Sequence, residues 1–230
     1  MDTLASFVDG LVSGSIEVID LTQPLSERTP MIQLPPPFAN TPNWKSHEIS
    51  RYDERGPAWY WNWFEGGEHA GTHFDAPIHW VTGKDKDDVS QVPVTRLIGP
   101  AVVIDKSKDS WLLYRTGWDA RANDQKAFLN ANETGPHTPG IDIELAQWLA
   151  NESPFVGVGV ETVGTDAGTA HSFNPPFPCH QFLLGANKYG LTQLANLATL
   201  PPTGAVLVVA PLKLVKGSGS PCRALALVQR

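Results

Sequence analysis

"EHAGTHFDAPIHW", residues 68–80, gathers three of the chain's seven histidines and an aspartate around a glycine and a proline. His69, Gly71, His73, Asp75, Pro77 and His79 are all odd-numbered, so an unbroken strand would present them on one face. At ~3.3 Å per residue such a strand holds His69 and Asp75 about 20 Å apart, too far for one ion. A regular helix aligns His69 with His73 but turns Asp75 away and breaks at Pro77. The workable geometry is a fold-back at Gly71, which tolerates backbone angles denied to other residues. A short extended piece after it then carries His73 and Asp75 on the same side. Two neutral imidazoles and one carboxylate suit a borderline divalent ion such as Mn²⁺, Zn²⁺ or Fe²⁺. Three protein ligands leave positions open for water or substrate, as at catalytic sites. The simpler alternative is histidines that satisfy core carbonyls and an Asp75 that caps a turn. Four such groups spaced alternately around one glycine favour the metal.

Upstream, "AWYWNWF" (58–64) sets Trp59, Trp61 and Trp63 in alternation, with Phe64 beside them. In a strand those indoles share a face. That face either packs in the core or forms a flat wall for a planar aromatic ligand, with stacking worth ~0.5–1.5 kcal/mol per pair. Trp80, next to His79, is a further wall candidate. Other strand-like runs lie at 15–23, 47–53, 101–105, 111–117, 155–163, 205–215 and 223–228. Helical spacing covers 2–13, 141–152 (with Ile141, Leu145, Trp148 and Leu149 as its stripe) and 182–200, which Pro201-Pro202 ends. Residues 24–42 hold too many prolines for regular structure and read as an extended surface loop. "KGSGSPCR" (216–223) reads as the hairpin connection between the last two strands. Strands that are partly alternating and partly all-apolar, with few helices, predict one α/β domain over 1–230. Its sheet is expected to be mixed and curved, or closed into a barrel, with peripheral helices.

The chain is long enough for a substantial core. A net charge of −7 and the lack of a Lys/Arg run argue against nucleic acid or an anionic membrane as partner. No run approaches the ~20 apolar residues of a membrane span, and the N-terminus lacks the basic start and apolar run of a signal peptide. Cys179 and Cys222 match no zinc-ligand spacing and read as idle thiols of a reducing compartment. A cytoplasmic protein is expected. His47, His137 and His171 are isolated, and Asp166 and Glu161 read as capping or ion-pairing groups.

"HAGTHFDAPIHW" resembles the H-x-G-T-H-x-D-x-P-x-H signature of the cyclase-like metal-dependent amidohydrolases, which include bacterial kynurenine formamidases and isatin hydrolases. The resemblance runs from "IDLTQPLS" (19–26) through "LYRTGWD" (113–119) and "HQFLLGANKYGLTQLANL" (180–197) to "GSGSPCRALAL" (217–227). "SRYDERGPAWYWNWF", "GPHTPG" and "GVGVETVGTDAG" look most like the isatin hydrolase branch. It implies a swivelling β/β/α fold, with His69, His73 and Asp75 as metal ligands. His79, His180 and Gln193 become the hydrogen-bonding or proton-transfer groups, His79 foremost as proton donor. Gln193 stands where the binuclear formamidases have a glutamate; a neutral amide is a poorer partner for a second cation, which favours a single ion. The link "KSKDS" (106–110) is shorter than the helix-bearing connection usual in the family.

The implied activity is attack of metal-activated water on the cyclic amide of isatin or a similar planar aromatic lactam, giving isatinate. The ion is Mn²⁺ first and Zn²⁺ second, and the implied assembly is a homo-oligomer, most simply a dimer. Hydrolysis of N-formylkynurenine is the alternative within the family. Outside it, two histidines and a carboxylate also suit an Fe(II) oxygenase or a non-catalytic metal-binding protein.

Overall fold

The computed structural model describes residues 3–102 and 110–230. The first amphipathic spacing forms α1 (Thr3–Ser13), which leads into β1 (Ile16–Asp20). The proline-rich residues 24–42 then run without regular structure. β2 (Lys45–Asp53) and β3 (Gly56–Glu65) pair only with each other as a two-stranded ribbon. Next come β4 (His73–Asp75), β5 (Ile98–Val102) and β6 (Trp111–Tyr114). The link at 106–110 lies, apart from Ser110, outside the described residues.

Two helices follow. α2 (Gln125–Leu129) was not legible in the sequence; the Asp124 side chain caps it by accepting from the amides of Lys126 and Ala127. α3 (Ile143–Asn151) falls inside the helix expected at 141–152 and is capped by Asp142. Its inward stripe is Ala146, Leu149 and Ala150, whereas Leu145 is exposed. β7 (Gly157–Val160), β8 (Tyr189–Thr192), β9 (Ala205–Pro211) and β10 (Gly219–Gln229) complete the strands.

Seven strands close into a barrel in the order β10-β4-β8-β7-β6-β5-β9, with β9 returning to β10 and β1 added outside β10. The β5–β6, β6–β7 and β7–β8 pairs are parallel and the others antiparallel. This is the mixed, closed α/β architecture expected from the strand pattern. β7, "GVGV", is buried throughout, as parallel strands covered on both faces are. Gly157 lies opposite Trp111 in register, and the absent side chain makes room for that indole. Alternation in β10 turns Cys222, Ala224, Ala226 and Val228 inward to join Phe74, Trp111, Tyr189 and Leu207 in the barrel core. A second core packs Ile141, Ala146, Leu149, Val158 and Leu183 beneath α3.

The helix expected over 182–200 does not form. His180–Leu184 makes one π-helical turn, Tyr189–Thr192 is β8, and Leu197–Thr199 is a 3-10 turn. Asn187, Gln193 and Asn196 adopt left-handed backbone angles that no helix accommodates. Pairing of β8 with β7 and β4 overrides the helical spacing of "LTQLANL".

Candidate active site

Gly71 takes φ +60, the left-handed turn its sequence position called for. It folds His69 back toward β4, whose His73 and Asp75 lie on one face. Asp75 faces Gly190 of β8 and Gly219 of β10 in register, so the strands on both sides of it carry no side chain there. Pro77 opens a short 3-10 turn, Pro77–His79, that lays His79 over His69 with ring centroids 3.9 Å apart.

Outer hydrogen bonds set the direction of each imidazole. His73 Nδ1–H donates to the Gly71 carbonyl at 2.8 Å, so the Nε2 lone pair faces Asp75 Oδ1 at 3.4 Å. The Ser218 hydroxyl and amide both donate to Glu68 Oε2, at 2.8 and 2.9 Å. Ser218 Oγ is thereby left to accept from His69 Nε2–H at 2.9 Å, and His69 Nδ1 turns its lone pair to Asp75 Oδ1 at 2.8 Å. Burial pushes the His73 pKa down to about 4 and that of His79 down to about 3, so both are neutral at pH 7. Burial also works against ionisation of Asp75, but the surrounding His73 and His69 rings outweigh it and hold the carboxyl well below its usual range. Lone pairs converging on an anionic oxygen repel one another unless a cation or a proton sits between them. The donor set therefore fits a divalent ion. His69, Asp75 and His79 each offer a ligand atom within 4.8 Å of the others, so His79 and not His73 completes that mutually close group, while His73 Nε2 stands 3.4 Å from Asp75 Oδ1.

His180 joins them from its π-helical turn, its ring 5.6 Å from that of His79. The Asp166 carboxylate accepts from the amides of Cys179 (2.7 Å) and His180 (3.1 Å) and from His180 Nδ1–H. That leaves Nε2 on the cavity side, 3.9 Å from Asp75 Oδ2. Burial alone lowers the His180 pKa; the bond and charge of Asp166 outweigh it, and the net shift is upward.

These groups form one side of a cavity of about 370 Å³. Its other walls are apolar, with Ile32, Leu34 and Phe38 from the proline-rich segment and Val163, Phe177 and Trp80. The Trp80 indole lies 4.9 Å from the His180 ring and 5.6 Å from that of Phe177, and its Nε1–H donates to Gln181 Oε1 at 3.0 Å. Phe177 holds its ring there from a left-handed backbone (φ +51), a conformation that costs about 1 kcal/mol or more and clusters at ligand sites.

Several expected positions fall elsewhere. Trp59, Trp61, Trp63 and Phe64 stand exposed on the β2–β3 ribbon and do not line this cavity; Trp80 does. Alternation put the indoles on one face but gave no sign of what covers that face. Gln193 is buried behind the site and does not line the cavity; its Nε2–H donates to the Pro30 carbonyl at 3.3 Å. A neutral amide has no proton to transfer near neutral pH, and Gln193 is here a buried hydrogen-bonding group. Conversely, the Glu68–Ser218 pair, Phe177 and the apolar residues of 24–42 were missed. Asp166, read as a capping or ion-pairing group, does both, to the Cys179 and His180 amides and to the His180 ring, though the sequence did not name that partner. Glu161 caps as expected, its Oε2 accepting from the Thr116 and Trp118 amides at 2.6 and 3.1 Å.

A family model described as a putative cyclase matches residues 19–110 and 106–167. An isatin hydrolase of Roseibium aggregatum is 48% identical over 96% of this chain and 95% of that protein. The chain belongs to the cyclase family. Among solved cyclase-family structures, that of an isatin hydrolase bound to the product analogue thioisatinate matches with a TM-score of 0.97 at 44% identity, covering 100% of both chains. A kynurenine formamidase of Salinibacter ruber is more distant, 28% identical over 68% of this chain and 74% of that protein.

Proposed function

We propose that this protein is a metal-dependent amidohydrolase that opens the cyclic amide of isatin, or of a similar planar aromatic lactam, to give isatinate. The observation that carries this reading is the convergence of the His69 and His73 imidazoles on the Asp75 carboxylate at the edge of an apolar cavity. The 48% identity to an isatin hydrolase over nearly the whole chain supports it. Asp75, His69 and His73 would hold one ion, with His79 within reach; the mixed nitrogen and oxygen donors suit Mn²⁺, and Zn²⁺ second. When bound, such an ion supplies Lewis acidity toward the carbonyl oxygen and makes hydroxide available near neutral pH.

The chain's own groups supply orientation and proton transfer. Trp80 and Phe177, in edge-to-face contact with each other at 5.6 Å, give a flat ring one continuous apolar wall and keep water from that side. Hydrolysis adds the hydroxyl of water to the amide carbon and breaks the C–N bond, and the nitrogen must leave carrying a proton. His180 is the group placed for that transfer: Asp166 keeps its proton affinity raised, and Nε2 faces the cavity. His79, expected as the donor, is held unprotonated at neutral pH and serves as a neutral ligand-side group instead. His180 recovers its proton from the attacking water, and ionisation of the product acid releases one proton to solvent.

We further propose a dimeric assembly and a cytoplasmic location, the latter supported by the free, buried thiols of Cys179 and Cys222. No described helix is long and apolar enough to cross a membrane. The function is tested by following isatin absorbance with metal-stripped protein, with and without added Mn²⁺, beside N-formylkynurenine. Metal-dependent ring opening of isatin in preference to the formamide is expected. Turnover of N-formylkynurenine alone, or of neither compound after reloading, overturns the reading.

A further inference from the structure

A second cavity, of about 100 Å³, adjoins the first and takes no part in the ligand set. Ile32, Leu34, Phe38 and Phe177 wall both cavities, and Gly164 borders both, whereas Leu129, Pro136, Thr138 and Ala167 line the second alone. Two loops meet to make it. The Gly168 amide donates to the Thr138 carbonyl at 3.0 Å, and a β-carbon on Gly168 would strike the Pro136 carbonyl group at 2.5 Å. Glycine there lets the two loops lie against each other. Thr138 is only 5% exposed, and among the described residues its hydroxyl has no hydrogen-bond partner. Buried hydroxyls are nearly always paired, so an unpaired one in the lining of a cavity marks a contact left for a ligand. Asp166, on the same lining, has its carboxylate engaged by the Cys179 and His180 amides and the His180 ring.

We infer that this cavity is a substituent subsite: it takes a short neutral group carried on the benzo ring of the lactam, and the Thr138 hydroxyl bonds the oxygen of that group. Phe177 belongs to the apolar wall of the first cavity and borders the second, so a ring lying on that wall has the subsite at its edge. About 100 Å³ is room for roughly three waters at ~30 Å³ each, and so for a group of about three heavy atoms such as an acetyl. The walls are otherwise apolar, which leaves one polar contact to set the preference. The Asp166 carboxylate in the lining and the chain's net charge of −7 disfavour an anionic group. The inference rests on the lactam reading above. It narrows the substrate class from a bare planar ring to one that also carries an oxygen-bearing side group.

The test compares kcat/KM of the Mn²⁺-loaded protein for isatin and for isatins bearing an acetyl or an isopropyl group at each benzo position. These two groups match in size and differ in the oxygen. One acetyl isomer is expected to exceed its isopropyl counterpart by roughly 3–10-fold, the worth of one hydrogen bond. Thr138→Val should erase that ratio. Because the hydroxyl bonds nothing within the described protein, the same variant should melt at the wild-type temperature or above it. Gly164→Leu gives a second reading, since a β-carbon there meets nothing within 4 Å and the backbone is not left-handed. It should block the passage and lower kcat/KM for the favoured acetyl isomer about 10-fold or more relative to isatin. No preferred isomer, a preference that survives Thr138→Val, or a lowered melting temperature in that variant overturns the subsite and leaves isatin hydrolysis standing. Failure of the wild type to open isatin itself overturns the lactam reading on which the subsite rests.

Discussion

Gly190→Ala probes the carboxylate from behind. Gly190 lies opposite Asp75 in the β4–β8 register, and a β-carbon there would sit 2.6 Å from Asp75 Oδ2. Ordinary contact needs about 3.5 Å, so the carboxylate must give way by about 1 Å or the strands must part. Asp75 is buried with Oδ1 2.8 Å from His69 Nδ1, so a shift of that size carries the carboxylate out of register with the imidazole lone pairs. Gly190 is not in the left-handed region, so alanine carries no backbone penalty, and its lower unfolded-state entropy returns about 0.4–1 kcal/mol. Overpacking costs about 1–3 kcal/mol against that gain. The larger effect falls on metal affinity, expected to drop about 10–100-fold, the range seen when support around metal ligands is disturbed. Calorimetric titration of metal-stripped protein with Mn²⁺ reads the affinity, and thermal melts of the same samples read the stability. An alanine variant that binds Mn²⁺ as tightly as wild type would refute the reasoning that Asp75 is clamped into the donor set by the strand behind it.

Gly157→Ala is the matching control: its methyl meets the Trp111 ring 2.6 Å away in the barrel core, far from the ligands. Melting temperature should fall, by about 1–3 kcal/mol of stability, with Mn²⁺ affinity unchanged in the titration. Asp166→Asn removes the carboxylate that raises the His180 pKa, so the basic limb of the kcat/KM profile should move to lower pH. Its kcat is expected to fall within the roughly 10²–10⁴-fold range of a lost general acid, and a pH profile superimposable on wild type contradicts that role. For the metal-free protein, the unfolded chain binds protons at His73 that the native state excludes between pH about 4 and 6.5. Stability should therefore decline as pH falls through that window, by about 3 kcal/mol from His73 alone, with Asp75 reinforcing the trend below the ordinary carboxylate range and His180 opposing it. Melts from pH 4.5 to 7.5 check the sign; a melting temperature that rises on acidification contradicts it.

What could be seen in the residues themselves was the local geometry. Spacing around Gly71 demanded a turn, and the turn is there with the φ it needs. Strand patterning located β1, β2, β3, β6, β7, β9 and β10 because alternation and short apolar runs are properties of each segment alone. β8 was hidden because "YGLT" becomes a strand only through partners far along the chain, β4 and β7. The same distance concealed the partner of Asp166: a carboxylate in a loop says nothing of the histidine fourteen residues on that will fold onto it. Residues 24–42 were legible as irregular but not as a cavity wall, since prolines exclude regular structure without saying which way Ile32, Leu34 and Phe38 face. The tryptophan ladder was misplaced for a related reason: period two reports a shared face, and burial of that face depends on what packs against it.

Anomalous diffraction from crystals of the Mn²⁺-loaded protein tests the central claim most directly. A single manganese peak is expected within coordinating distance of Asp75 and of the imidazoles of His69 and His73. No peak there, or a peak whose ligands exclude Asp75, contradicts it.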